Sequence, residues 1–366
     1  MKKSSLLTAI TLIFLVSQVG LAQQEDVVLG KDRMEWLKIL REHKESKFRR
    51  AAVIALTVIG PARPGVMPGL IKALEADADP EIRREIASTI STFKAEEAKS
   101  AVDTLAARME EDDSPKVREA SARALGKLAS VAPIHVMGLG RALKDKSPGV
   151  RTAAAEALVS YGDKAKIVLP QLLEAAQDAK GDVFTRLYAV QILGKQAGDD
   201  EKVAGALGAI LADKDTPTNL RQGIAAALTS MGPSASVALA PLADVAVERV
   251  LDIELRRAAA GTLVSIGAKS AAAWPKVKGL LEDPDVGVRY QIVRLAGIVG
   301  KGNAEVSTAL VKALGKEQNV EVLLAVVQEV GELGIAESAA ELDRLVRTDL
   351  RQSIREAAQA SLKKVK

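Results

Sequence analysis

Cysteine is absent from the 366 residues, which excludes disulfides, thiolate metal sites and a thiol nucleophile. Histidine occurs only at His43 and His135. His43 is followed by Lys44 and His135 by Val136, so no His-Glu pair exists from which a di-iron cluster could be built. Nor is there a basis for a Ser-His-Asp arrangement. Aromatic residues make up 2%, too few for a β-sandwich core or for a surface that stacks bases. Phosphate-binding glycine loops are missing as well: Gly138-Leu139-Gly140 carries none of the rest of a dinucleotide fingerprint. Acids and bases nearly balance, with 51 Lys and Arg against 47 Asp and Glu, so no strong field of one sign is available to draw in a polyanion.

What is present is alanine, leucine and valine within a 48% hydrophobic chain, a composition suited to close-packed helices. At the N-terminus Lys2 and Lys3 precede an apolar run from Leu6 to about Val19, then Gly20, Leu21 and Ala22. That is the layout of a secretory signal peptide, and the run falls short of the ~20 residues of a membrane span. The sequence therefore predicts a signal segment over 1–22, a short linker over 23–30 and an exported mature chain, in the periplasm or cell envelope or secreted. No later stretch reads as a membrane span.

Self-similarity dominates the remainder. An arginine in segments approximating D-x-P-x-apolar-R-x-x-A recurs at Arg49, Arg83, Arg118, Arg151, Arg186, Arg221, Arg256 and Arg289, at spacings of 33 to 35, and again at Arg355. Leu323 breaks the series. Around this residue the apolar positions are fixed. One before it stand Phe48, Ile82, Val117, Val150, Leu220, Leu255, Val288, Val322 and Ile354, with Thr185 the exception. Three and seven after it come pairs such as Ala52 and Leu56, Ile86 and Ile90, Ile224 and Leu228. Offsets of −1, +3 and +7 share one face of a helix. Gly60, Gly162, Gly232, Gly267, Gly300 and Gly334, eleven after it, suit a left-handed helix end. Pro80, Pro115 and Pro148, three before it, suit a helix start.

A second amphipathic stretch separates these helices, as in Val66 to Glu75 and Val306 to Lys316. The unit is a helix-turn-helix pair that must stack on its neighbours to bury its apolar face. The fold expected is all-α: a right-handed α-solenoid of about ten repeats, over 31–63, 64–97, 98–131, 132–164, 165–199, 200–234, 235–269, 270–302, 303–336 and 337–366, with caps near Trp36 and Leu362. Motifs such as Asp283-Pro284-Asp285-Val286-Gly287-Val288-Arg289 resemble the HEAT family, particularly the short bacterial HEAT-like repeats of phycobilisome-pigment lyases. That resemblance covers residues 31 to 366. It implies an Asp and Arg stacking ladder and a proline in the first helix of a repeat, here Pro68, Pro170, Pro241 and Pro275.

Asp77, Asp112, Asp145, Asp215, Asp283 and Asp349 each lie six residues before a ladder position. A residue type required at one point in nearly every repeat is used by the repeat itself, so these acids are read as structural partners of the arginines and not as a ligand site. The second helices are expected to line the concave face, with positions one and five after the ladder residue exposed. Arg50, Arg84, Arg123, Arg257 and Arg294 there alternate with Glu119, Glu156, Glu356 and neutral residues, so no basic stripe for nucleic acid forms. The apolar members Leu187, Tyr290 and Leu324 are the candidate contacts with a protein or peptide partner. The expected function is a non-enzymatic interaction scaffold, with no catalytic residues, metal or cofactor. A divergent lyase relative with a small-ligand groove is the alternative, and a nucleic-acid-binding solenoid comes after it.

Overall fold

A computed structural model describes residues 26–366; the expected signal segment lies outside the described residues. The structure is all-α, and among the described residues the sole extended pairing is an isolated bridge between Val28 and Lys31. The helices alternate as first and second members of pairs: α1 (Arg33–Glu42) and α2 (Ser46–Ile59), α3 (Val66–Ala76) and α4 (Pro80–Ile90), α5 (Val102–Glu111) and α6 (Pro115–Lys127), α7 (Val136–Ala142) and α8 (Pro148–Ser160), α9 (Leu169–Gln177) and α10 (Val183–Gln196). The series continues with α11 (Glu201–Ala212) and α12 (Thr218–Met231), α13 (Leu239–Val247) and α14 (Ile253–Ile266), α15 (Trp274–Val277) and α16 (Val286–Val299), α17 (Ala304–Lys316) and α18 (Val320–Glu332), α19 (Ala339–Thr348) and α20 (Gln352–Val365). The described residues form two compact units, the first ending at Gln171 and the second running over Leu172–Lys366.

Within the first unit, second helices pack in sequence, α2 on α4, α4 on α6, α6 on α8, and first helices do likewise from α1 to α7. The second unit repeats the scheme from α10 through α20 along the second helices. Within each unit this arrangement is a solenoid: a helix pair buries its apolar face against its neighbours in the series. The face defined by −1, +3 and +7 is the core. Ile82, Ile86 and Ile90 are buried on α4, as are Leu220, Ile224 and Leu228 on α12. Phe48 departs from the pattern at 41% exposed, because no described helix pair precedes it to cover that position. At the other end Leu362 is half-buried for the matching reason.

Helix ends follow local chemistry. Pro80, Pro115 and Pro148 each occupy the first residue of α4, α6 and α8, where a missing N–H breaks no bond. Pro68, Pro170, Pro241 and Pro275 stand in the first turns of α3, α9, α13 and α15, so they start first helices and bend none of them. Gly232 and Gly267 end α12 and α14 at φ +57° and +77°, conformations that cost a side chain dearly. Gly300 differs from expectation, with φ −83°; the left-handed residue is Gly302, two positions on, at +71°. What demands glycine at 300 is space, since a Cβ there would lie 2.5 Å from the Ala296 carbonyl oxygen and 2.7 Å from Leu333 Cδ1.

Two further points correct the sequence reading. Residues 26–30, expected as linker, dock on the first pair: Trp36 Nε1 donates to the Val28 carbonyl at 3.0 Å, and Asp26 pairs with Arg33 and Arg63. The stretch Thr218–Val247 is long and apolar enough to cross a membrane by length and composition, which the hydropathy reading missed. It comprises α12, a 3-10 turn and α13, with the chain redirected at Gly232, and its two helices belong to successive repeats.

Candidate functional site

The ladder arginines sit at the start of second helices, beside the link from the first. Each of several donates Nη1 to the carbonyl six residues earlier: Arg83 to Asp77 at 2.7 Å, Arg118 to Asp112 at 2.8 Å, Arg151 to Asp145 at 2.9 Å, Arg289 to Asp283 at 2.8 Å and Arg355 to Asp349 at 2.8 Å. That carbonyl lies at the C-terminal end of the preceding helix, where the helix dipole is negative. The remaining edge of the guanidinium points to the next repeat. Arg49 forks onto Asp77 at 2.7 Å, Arg83 onto Asp112 at 2.8 Å, and Arg118 onto Asp145 at 2.8 and 2.9 Å. Arg289 uses Glu317 in the same way.

Asp77, Asp112 and Asp145 therefore each work for two repeats: the backbone carbonyl holds the arginine of its own pair, and the carboxylate holds the arginine of the pair before. The carboxylate also accepts the N–H two residues on, as Asp112 does from Ser114 and Asp145 from Ser147. Burial by itself would raise the Asp112 carboxyl, but the Arg83 guanidinium and the Ser114 N–H outweigh it and hold it below the usual carboxylate range. The same balance lowers Asp145 and Glu317. At Leu323, where the arginine is lost, Asp349 is instead gripped by Arg351 from its own link, Nη2 to Oδ2 at 2.6 Å. Arg351 also donates Nη1 to the Gln318 carbonyl of the preceding pair at 3.2 Å.

Asp215 is the member of the expected ladder that the structure moves. Where the link is three residues, as at 77–79 or 283–285, its first residue falls six before the arginine. The link from α11 to α12 runs over 213–217, five residues, so the acid in that place is Asp213. Asp215 supplies its N–H to the Asp213 carboxylate at 3.0 Å. The links 178–182 and 248–252 are equally long. In these three pairs the arginine binds differently: Nε of Arg186, Arg221 and Arg256 donates to the carbonyls of Ala176, Leu211 and Ala246 at 3.0, 3.0 and 3.1 Å.

The three candidate contacts are half-buried, not fully exposed. Leu187 lines a groove of about 450 Å³ between α10 and α12 with Phe184, Tyr188 and Gln191 on one wall and Gly223 and Ala226 on the other. Small residues opposite large ones make this groove. A Cβ on Gly223 would stand 3.2 Å from Leu187 Cδ2, and one on Gly194 would meet Ala227 at 2.6 Å. Tyr290 and Leu324, on α16 and α18, do not belong to it. Sequence reasoning missed Phe184, which is 61% exposed at its mouth, because its position two before the ladder residue was not counted on the concave side.

In the first unit the corresponding surface between α4 and α6 is charged. Arg84 and Lys116 share Glu81, and Arg123 pairs with Glu119. Arg84, Lys116 and Arg123 are thus engaged by acids of the same surface, which offsets their charge toward a polyanion. His135 contacts Asp103 at 3.1 Å while His43 accepts the Glu45 N–H, so the two histidines belong to different pairs. Among the described residues no cluster of three or more His, Asp or Glu is placed to hold a metal ion.

The family model for HEAT repeats matches residues 34–126, 102–186 and 274–363. The chain belongs to the HEAT-repeat family. A comparison with curated proteins finds no match by sequence. Among solved structures, the HEAT solenoid resembles Kap95p, in a structure describing its effect on the switch loops of RanGDP, with TM-score 0.61 and 13% identity over 91% of this chain and 50% of that one. It also resembles a chain of a homology model of the full-length AP-3 complex in an intermediate open conformation, with TM-score 0.59 and 14% identity over 95% of this chain and 72% of that one. Kap121p follows at TM-score 0.53 and 13% identity over 90% and 45%. The chain thus spans about half the length of these karyopherins, and at such identities the likeness concerns the fold.

Proposed function

We propose that this HEAT solenoid is an exported scaffold that binds a protein or peptide and carries out no chemistry of its own. The groove between α10 and α12 is the observation behind this reading. It offers two aromatic rings and Leu187 above a floor of glycine and alanine, the shape that receives an apolar side chain of a partner. The use of the same fold by Kap95p toward RanGDP agrees with it. The export signal at 1–22 and the periplasm or cell envelope as location complete the proposal.

The test is a pull-down with the full chain from an envelope extract, at low and high salt, in parallel with a Phe184→Asp variant. A discrete protein retained by the native chain and lost with Phe184→Asp is the expected result. Equal retention by both chains, or retention of pigment, lipid or polysaccharide in place of protein, overturns it. A small-ligand reading, as in a divergent lyase relative, has its own support in a wider groove of about 830 Å³ lined by Met34, Leu37, Gly65 and Pro68 between α1 and α3.

A further inference from the structure

Arg186 and Arg221 are each 6% exposed. Both commit Nε to a helix-end carbonyl, and among the described residues no carboxylate oxygen comes within ion-pair distance of either. Burial accordingly pushes both guanidinium groups below their usual range, against weaker attraction from Asp178 and Asp213 at Arg186 and from Asp213 at Arg221. Arg256 shows what is missing. It uses the same Nε contact, and its two Nη groups are taken by Asp283, 27 residues ahead, with Nη2 to Oδ2 at 2.5 Å. The residues 27 ahead of Arg186 and Arg221 are Asp213 and Glu248, both exposed. Asp213 is turned into its own link, accepting from Asp215 N and from Thr216 Oγ1 at 3.2 Å. Neither arginine fork is among the fully enclosed unbonded polar atoms, so both reach solvent.

A buried guanidinium without an acceptor is costly, and a bidentate carboxylate is the group that fits its fork. From this we propose that Arg186 and Arg221 are a pair of carboxylate-receiving forks on successive repeats, and that they bind two acidic side chains of a peptide segment in the place that Asp283 fills on Arg256. The inference rests on the reading of the chain as a protein-binding scaffold and names the chemistry of the partner. Asp178 and Asp213 stand near the forks and repel an incoming carboxylate, so affinity is modest and falls with salt. Asp213 also competes for the Arg186 fork.

The test uses the full chain and a fluorescein-labelled peptide of ten glutamates, read by anisotropy at low salt, with a ten-glutamine peptide as control. The expected results are binding of the glutamate peptide alone, at least tenfold loss in Arg186→Gln with Arg221→Gln, and tighter binding in Asp213→Asn. Arg257→Gln, a half-exposed arginine already paired with Glu254 and Asp285, leaves binding within twofold. Should the double glutamine variant fail to fold, Arg186→Lys with Arg221→Lys keeps the charge, removes the planar fork and gives the same loss. No binding of the glutamate peptide, equal binding by the double variant, or displacement by low-millimolar inorganic phosphate overturns the proposal. The pull-down partner and its dependence on Phe184 are read separately, so failure here leaves the scaffold reading standing.

Discussion

Arg256 and Asp283 meet across two repeats with 4% and 0% of their side chains exposed, the most enclosed ion pair of the ladder. Removing one member leaves the other charge buried without a partner, which costs about 3–5 kcal/mol. Asp283→Ala is therefore expected to lower the urea midpoint sharply. Glu282→Ala, one residue away, breaks only exposed pairs with Lys312 and Lys316, which solvent screens, and is expected to move the midpoint little. Equal shifts for the two variants would show that the ladder contributes no more than surface charge.

Acid should loosen the stack through the same carboxylates. Asp112, Asp145 and Glu317 are held below their ordinary values in the folded chain, where burial is outweighed by the arginine of the preceding pair. Arg257 and Arg351 hold Asp285 and Asp349 down to about 2. A depressed folded value gives stability that is fully present above the unfolded value, about 4, and disappears as pH falls through the folded one. The thermal midpoint should be level from neutral pH to about 5 and drop between about 4 and 2. Asp112→Asn is expected to start lower and to flatten that drop; an unchanged slope would remove the ladder as its cause.

Helix spacing supplies a test in which two similar substitutions act in opposite directions. A methyl on Gly194 would sit 2.6 Å from Ala227 Cα, while on Gly261, inside α14, the nearest atoms are 3.8 Å away on Gln291. Gly194→Ala is expected to cost about 1–3 kcal/mol through overpacking of α10 on α12. Gly261→Ala should gain up to about 1 kcal/mol from helix propensity. Chemical denaturation of both measures the difference, and a stabilised Gly194→Ala would mean that the two helices are free to separate.

Much of the architecture was legible because repetition multiplies weak signals. An apolar residue at −1, +3 and +7 says little once, but in successive units it marks the buried face, and Ile86, Ile224 and Val326 are all enclosed there. The link lengths were less legible. Asp215 has the right spacing from Arg221, yet two extra residues in the link hand its place to Asp213. The candidate contacts were legible only as exposed offsets. Whether Leu187 lines a groove depends on Gly223 in the next repeat, and no local pattern couples the two.

The sequence by itself determined the period, the helix pairing, the core face and the loss of the ladder arginine at Leu323, since these follow from side-chain spacing along one helix. Only the tertiary structure decided which carboxylate each arginine receives, because that partner comes from the next repeat and its reach depends on how the link is wound. The structure likewise decided that Arg186 and Arg221 hold buried charge without one. Both are matters of distance between chain segments roughly 30 residues apart, and burial makes them energetic in a way that one-dimensional spacing does not record.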